Sequence, residues 1–282
     1  MKMTNTLKCL MIAATIGITF TACRKDKDED KDSDTAAAAD NALAEGTYND
    51  VVNISDQAAS GSLSSYMTTE NGNGMEQRDF MSACATITND TVSVPHILTI
   101  DFGATNCLCS DARQRRGQII VSYSGHYRDA GSTHTITFNN YYVNDNKIMG
   151  TKTVLNNGLN ASGHSTFSIT VNGQIQKASG GTITWTSNRT REWIVGESTP
   201  MWSDDVYLIT GSASGTSAAG NSFTINITSA LRREIGCRHF VSGSFALTPS
   251  GKATRYVDYG TGGCDNSATV TINGNVYNIT LP

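Results

Sequence analysis

The chain has 282 residues, a formal net charge of −4 and only 16% charged residues. Such a balance leaves no broad basic face for phosphates, so nucleic acid is not an expected partner. The length allows one large or two small domains.

Residues 1–22 have the layout of a lipoprotein signal peptide. Lys2 and Lys8 precede an apolar run from Cys9 to Phe20, which ends in Thr21-Ala22-Cys23. The run is too short for a retained membrane helix, and small residues before a cysteine resemble a bacterial lipobox. Cys23 is then the lipidated N-terminus, and its acyl chains enter one leaflet without spanning it. The charged run from Arg24 to Asp34 offers no apolar surface to bury. Residues 23–44 are therefore expected to be a disordered acidic tether, and residues 45–282 the folded body.

The body opens with a short amphipathic helix from Glu45 to Ala59. Tyr48, Val51, Val52, Ser55, Ala58 and Ala59 share one face of it. Gly61 to Gly74 reads as loop. From Ala83 onward the chain is rich in Thr, Ser, Val, Ile and Tyr and reads as strand. Phe167, Ile169 and Val171 alternate with polar residues, as do Phe223, Ile225 and Ile227. That period of two places one face on a core and the other in water. Turns are expected at Asn144-Asp145-Asn146, Asn156-Asn157-Gly158, Asn172-Gly173, Ser179-Gly180-Gly181, Ser250-Gly251 and Asn273-Gly274. The fold class is all-β: an antiparallel meander of roughly a dozen strands in a sandwich or barrel-like body, with one short N-terminal helix.

One device occurs twice. Ile100-Asp101-Phe102-Gly103 is followed by Cys107, and Val257-Asp258-Tyr259-Gly260 is followed at the same spacing by Cys264. Each has an upstream cysteine, Cys84 and Cys237 respectively. In an oxidising compartment these predict disulfides. Cys237 pairs with Cys264, and Cys84 with either Cys107 or Cys109, the echo favouring Cys107. In each copy a strand ends, a glycine releases the backbone and the Asp caps the turn. Asp101-Phe102-Gly103 and His126-Tyr127-Arg128-Asp129 occur in the wrong order for a protein kinase, and the nucleotide loop is missing. Arg113, Arg115 and Arg116 form a small basic cluster, expected on an exposed turn.

No serine-hydrolase elbow or zinc-hydrolase spacing is present, and no catalytic residue, metal or cofactor is expected. Arg189 to Tyr207 reads as a long loop carrying Trp193 and Trp202 beside Arg191, Glu192, Glu197, Asp204 and Asp205. Aromatic-bearing loops on a rigid sheet are favourable binding places. Trp193, Trp202, Asp204, Asp205 and Arg191 are the candidate ligand-binding residues, with burial of both tryptophans as the competing outcome. Paired carboxylates at suitable separation would instead make a glycoside hydrolase.

Taken together, Cys23 with its charged tail, Asp101-Phe102-Gly103 with Cys107, Gly125-His126-Tyr127-Arg128-Asp129, Trp202–Tyr207 and Cys264-Asp265-Asn266 resemble a group of secreted Bacteroidota lipoproteins of unassigned activity. The resemblance implies a lipid anchor in the outer membrane and exposure at the cell surface. It carries over no catalytic residue. Asp34-Thr35-Ala36 and Asp90-Thr91-Val92 also resemble the O-glycosylation sites of exported proteins in that group. The leading expectation is a non-enzymatic surface module that binds a glycan or an envelope protein. A glycoside hydrolase and a purely structural envelope component are the alternatives.

Overall fold

The computed structural model describes residues 35–59, 84–199 and 202–281. Cys23, the signal and tether segment 1–34 and the expected loop at 61–74 lie outside the described residues. Among the described residues one helix, α1 (Ala36–Ala59), precedes fourteen strands. They are β1 (Thr86–Asp90), β2 (His96–Asp101), β3 (Cys107–Leu108), β4 (Gln114–Tyr123), β5 (Thr133–Val143), β6 (Asn146–Leu159) and β7 (Ser165–Gln176) in the first half. The second half holds β8 (Thr182–Val195), β9 (Val206–Thr216), β10 (Ser222–Glu234), β11 (Ser242–Pro249), β12 (Arg255–Thr261), β13 (Ser267–Ile272) and β14 (Asn275–Thr280).

All strands belong to a single antiparallel sheet. Each pairs with its sequence neighbour, except that β3 pairs with β4 beside the direct β2–β4 pairing. This is the all-β meander that the alternation predicts, as one sheet that does not close into a barrel. Asn144 and Asp145 turn β5 into β6 with φ of 47° and 61°, and Asn273 and Gly274 turn β13 into β14 with φ of 50° and 79°. Both pairs have the two positive φ angles that a type I′ turn requires. The reversals at Ser179-Gly180-Gly181 and Ser250-Gly251 also fall between strands.

Two expected turns are not turns. Asn172-Gly173 lies inside β7, where Gly173 pairs with Gly150 on one side and Trp185 on the other. Asn156-Asn157-Gly158 lies inside β6, at a register shift against β7. The helix is also longer than its expected start. It begins at Ala36, so residues 36–44, read from sequence as tether, are part of the packed body. Thr35 stands at the position where a hydroxyl residue favours helix initiation, and its carbonyl accepts from the Ala39 amide at 3.0 Å.

The sheet curls around α1, which explains why the helix is buried well beyond one stripe. Tyr48 shows the arrangement: its hydroxyl donates to the carbonyls of Met149 on β6 (2.8 Å) and Gln174 on β7 (3.2 Å). Its ring stacks on Trp185 of β8, with centroids 5.8 Å apart and planes 6° from parallel. Buried apolar residues of α1 (Ala44, Tyr48, Val51 and Ile54) join those of β2, β4, β5, β8, β10, β11, β12 and β13 in one core.

The helix–sheet interface also holds charged pairs. Asp40 pairs with Lys177 at 2.9 Å, Glu45 with Arg189 at 3.1 Å, and Asp50 with Arg115 at 2.7 Å. The Lys152 ammonium donates to the Tyr48 carbonyl at 2.9 Å. Burial pulls the Lys152 pKa down to about 8, against the opposing charges of Asp56 and Glu45. Arg115, Arg189 and Lys152 are inward positions of β4, β8 and β6, so strand alternation aims each one at the helix. Buried charges persist only when paired and hydrogen-bonded, and here the acids come from the helix and the bases from the sheet.

Candidate functional site

Where it is described, the segment selected from sequence is largely strand and mostly buried. Strand β8 runs to Val195, so Arg191 and Trp193 are inward strand positions and not loop residues. Trp193 is 3% exposed, Asp205 5% and Arg191 7%. Trp193 and Tyr207 join Val154, Phe167, Ile169 and Ile235 in a second core. The Arg191 guanidinium lies 4.4 Å from the Tyr207 ring centre and 4.9 Å from that of Phe167, while Arg128 covers Trp193 at 4.7 Å. The indole face expected to stack on a sugar is therefore already covered. The side chain of Trp202, in a 3₁₀ turn (Trp202–Asp204), lies outside the described residues.

The carboxylates of this segment are engaged separately. Glu192 accepts from Asn160 and lies 2.7 Å from His164. Glu197 accepts from the Ser165 hydroxyl, and Asp204 from the Thr199 hydroxyl at 3.0 Å. Asp205 accepts from Tyr207 at 3.0 Å, and burial, opposed by that bond, pushes its carboxyl up to about 7.

The duplicated device has the expected form. Cys84 is bonded to Cys107 and Cys237 to Cys264, with Cα separations of 5.7 and 5.5 Å. Asp101 accepts from the Gly103 amide at 2.8 Å and Asp258 from the Gly260 amide at 2.7 Å. Both glycines have positive φ, 79° and 86°. Cys109 keeps its thiol, buried at 3% exposure, and burial raises its pKa. At Asp90-Thr91-Val92 the Asp90 carboxylate accepts from the Val92 amide at 2.9 Å in an exposed turn.

A cavity lies elsewhere, beside α1. It has a volume of about 780 Å³, within the range of pockets that enclose most of a small ligand. One wall is the less buried stripe of the helix: Ala42, Leu43, Gly46 and Asn49. A second wall is the turn Ser110–Arg113 with the β5–β6 hairpin. A third is the end of β10 and the segment that follows it, with Arg233, Arg238, His239 and Phe240. Tyr259 and Leu281 complete the lining. None of Arg191, Trp193, Asp204 or Asp205 lines it.

Electrostatics stiffen two of these walls. Asp111 holds Arg115 by two hydrogen bonds of 2.7 and 2.6 Å, and Asp50 reaches both Arg115 and Arg113, at 2.7 and 2.9 Å. Arg115 is fully buried. Burial opposes its charge, but Asp111 and Asp50 more than offset this and its pKa is raised. Far from occupying an exposed turn, Arg115 clamps the turn to the helix. Arg116 does lie nearer the surface, stacked 3.8 Å from the centre of the Tyr142 ring and paired with Asp145. On the third wall Arg233 donates to the His239 carbonyl at 3.1 Å. Burial first, then the charges of Arg238, Arg233 and Arg113, depress the His239 pKa to about 4. Cys237 lines the same wall, so its bond to Cys264 tethers the segment that carries Arg238 and His239.

The sequence gives little warning of this site. Arg233, Arg238 and His239 form no motif, and they meet Arg113 and α1 only through the curl of the sheet. Their one local signal is that they flank a disulfide cysteine. No known protein family, no curated protein and no solved structure matches this chain.

Proposed function

We propose that the chain is a lipid-anchored protein of the outer membrane, held through acylated Cys23 and exposed at the cell surface, whose body is a non-enzymatic binding module for a glycan or an envelope protein. The observation that carries this reading is the cavity of about 780 Å³ beside α1. Its walls are held by buried ion pairs and a disulfide, so a ligand meets a preformed surface, which lowers the ordering cost of binding. Asn49, Asn144 and Asn146 supply amide groups and Leu43, Phe240 and Tyr259 supply apolar surface, a combination that suits a polyhydroxylated ring with polar edges and apolar faces.

Gly46 provides the test. It lies on the cavity wall, and a Cβ added there meets nothing within 4 Å. Gly46→Trp should fill the cavity while the helix persists. On a glycan array and in crosslinking from intact cells, the wild-type protein should capture a ligand that Gly46→Trp loses at unchanged melting temperature. Equal capture by both proteins would remove the cavity from the function. For the anchor, Cys23→Ala should move the protein from the membrane fraction to the soluble fraction; continued membrane retention would contradict lipidation at Cys23.

A further inference from the structure

The geometry points to a buried site for a single chloride-type anion, held by one edge of the Arg191 guanidinium in the gap between α1 and strands β7 to β9. The inference does not rest on what the larger cavity holds.

Three arginines stand at inward positions of the sheet, each more than nine-tenths buried: Arg115 on β4, and Arg189 and Arg191 on β8. Helix α1 meets the first two with Asp50 and Glu45. Among the described residues Arg191 has no such ion pair, and its enclosed Nε and Nη2 atoms have no hydrogen-bond partner. These two nitrogens share one edge of the planar group. Their N–H bonds point the same way, as a fork that closes on one acceptor. The rings of Tyr207, Phe167 and Tyr127 have their centres 4.4, 4.9 and 5.5 Å from the guanidinium carbon. Ring faces attract the positive charge but offer the fork no lone pair.

A cavity of about 20 Å³ adjoins this arginine, room for about one water-sized particle. Asn49, Val52 and Asn53 of α1 form one side of it, and Ile169, Tyr207 and Ile209 of the sheet the other. Arg233 also lines it, but donates to the His239 carbonyl, and the assignment uses Arg191 alone. Charge selects among occupants of this size. A water accepts from the fork but leaves the buried cation uncompensated, which is costly. Asp56 of α1 acts on Arg191 as a charge without forming an ion pair, and acts on Lys152 as well, so one acid faces two cations. Phosphate, sulfate and carboxylates exceed the volume. A monoatomic anion fits, accepts from both N–H groups and supplies the missing charge.

The test is thermal unfolding of the full-length protein in detergent at neutral pH, in about 200 mM sodium chloride and in sodium gluconate of equal ionic strength. For a site half filled at about 10 mM, the chloride-minus-gluconate shift in midpoint should be about 4 °C larger in wild type than in Arg191→Met. The comparison removes salt effects common to both proteins. Equal shifts would overturn the inference and leave the cavity to water. Should Arg191→Met fail to fold, crystals of the wild-type chain soaked in bromide decide the matter. An anomalous peak within hydrogen-bonding reach of Arg191 Nε and Nη2 is expected. Peaks found only elsewhere, as adventitious ions only, or no peak at all, would overturn the site.

Discussion

Replacing Gly173 with alanine drives a methyl group into the helix. The new Cβ would stand 2.1 Å from the Tyr48 hydroxyl oxygen and 2.2 Å from Cζ, with Cε2 at 2.7 Å. Gly173 pairs regularly with both neighbouring strands, so the backbone itself tolerates alanine. In a strand interior alanine is favoured over glycine by about 0.5–1 kcal/mol. The clash decides the sign instead. Tyr48 is 1% exposed, stacked on Trp185 and flanked by Phe138 at 6.2 Å, so its ring has no free direction of retreat. Overpacking costs about 1–3 kcal/mol, and losing the hydroxyl's bond to Met149 or Gln174 adds about 1 kcal/mol. Gly173→Ala should therefore destabilise by about 2–4 kcal/mol. Tyr48→Ala alone should cost about 3–5 kcal/mol, as for other buried aromatic rings, yet in that background Gly173→Ala should be neutral or slightly stabilising. Urea unfolding of the four proteins closes the cycle, with an expected coupling of about 3 kcal/mol. If Gly173→Ala costs the same with and without the tyrosine ring, Tyr48 does not rest on β7 and the placement of the helix within the sheet is wrong.

Three other measurements probe separate parts of the structure. The Cys237–Cys264 bond spans 27 residues, and by loop-closure entropy Cys237→Ser with Cys264→Ser should lose about 3.5 kcal/mol in denaturant unfolding; an unchanged midpoint would mean that the bond does not form. Asp205 has its pKa pushed up to about 7 by burial, above its ordinary value near 3.8. Between these limits the folded state holds the proton more tightly than the unfolded chain, so this group makes stability fall as pH rises from about 4 to 7. The stability difference between Asp205→Asn and wild type, measured across that window, should therefore move in favour of the variant with rising pH; a constant difference would show that Asp205 titrates normally. Gly46→Ala adds a methyl to open space on an exposed helix position and should raise stability by about 0.5–1 kcal/mol, whereas thermal destabilisation would mean that the cavity wall is drawn incorrectly.

Much of the architecture was legible because it rests on local rules. Alternation at Phe167, Ile169 and Val171 marks an inward face, and all three are buried. Asn273-Gly274 reverses the chain because those residues accept positive φ. The two Asp-x-Gly caps with their cysteines were readable because the pattern occurs twice. Legibility failed where a residue answers to a distant neighbour. Asn172-Gly173 has the composition of a turn, but the glycine makes room for Tyr48, 125 positions earlier in the chain. Trp193 and Tyr207 sit in a segment with loop-like composition, and long strand pairing draws them into a core.

By itself, then, the sequence determined the all-β meander, four of the turns between strands and the two disulfide staples. The tertiary structure decided what stands inside. Asp40, Glu45 and Asp50 on α1 look like solvated residues in sequence, and Arg115, Arg189 and Lys152 look like exposed charges on strands. Curling one sheet around one helix removes them from water together, and each acid meets a base more than 60 positions away. The same curl brings Arg113, Arg233 and Arg238 to one cavity. Local propensity acts over a few residues and encodes neither meeting. Both arise because buried charge must find its partner wherever the fold places it.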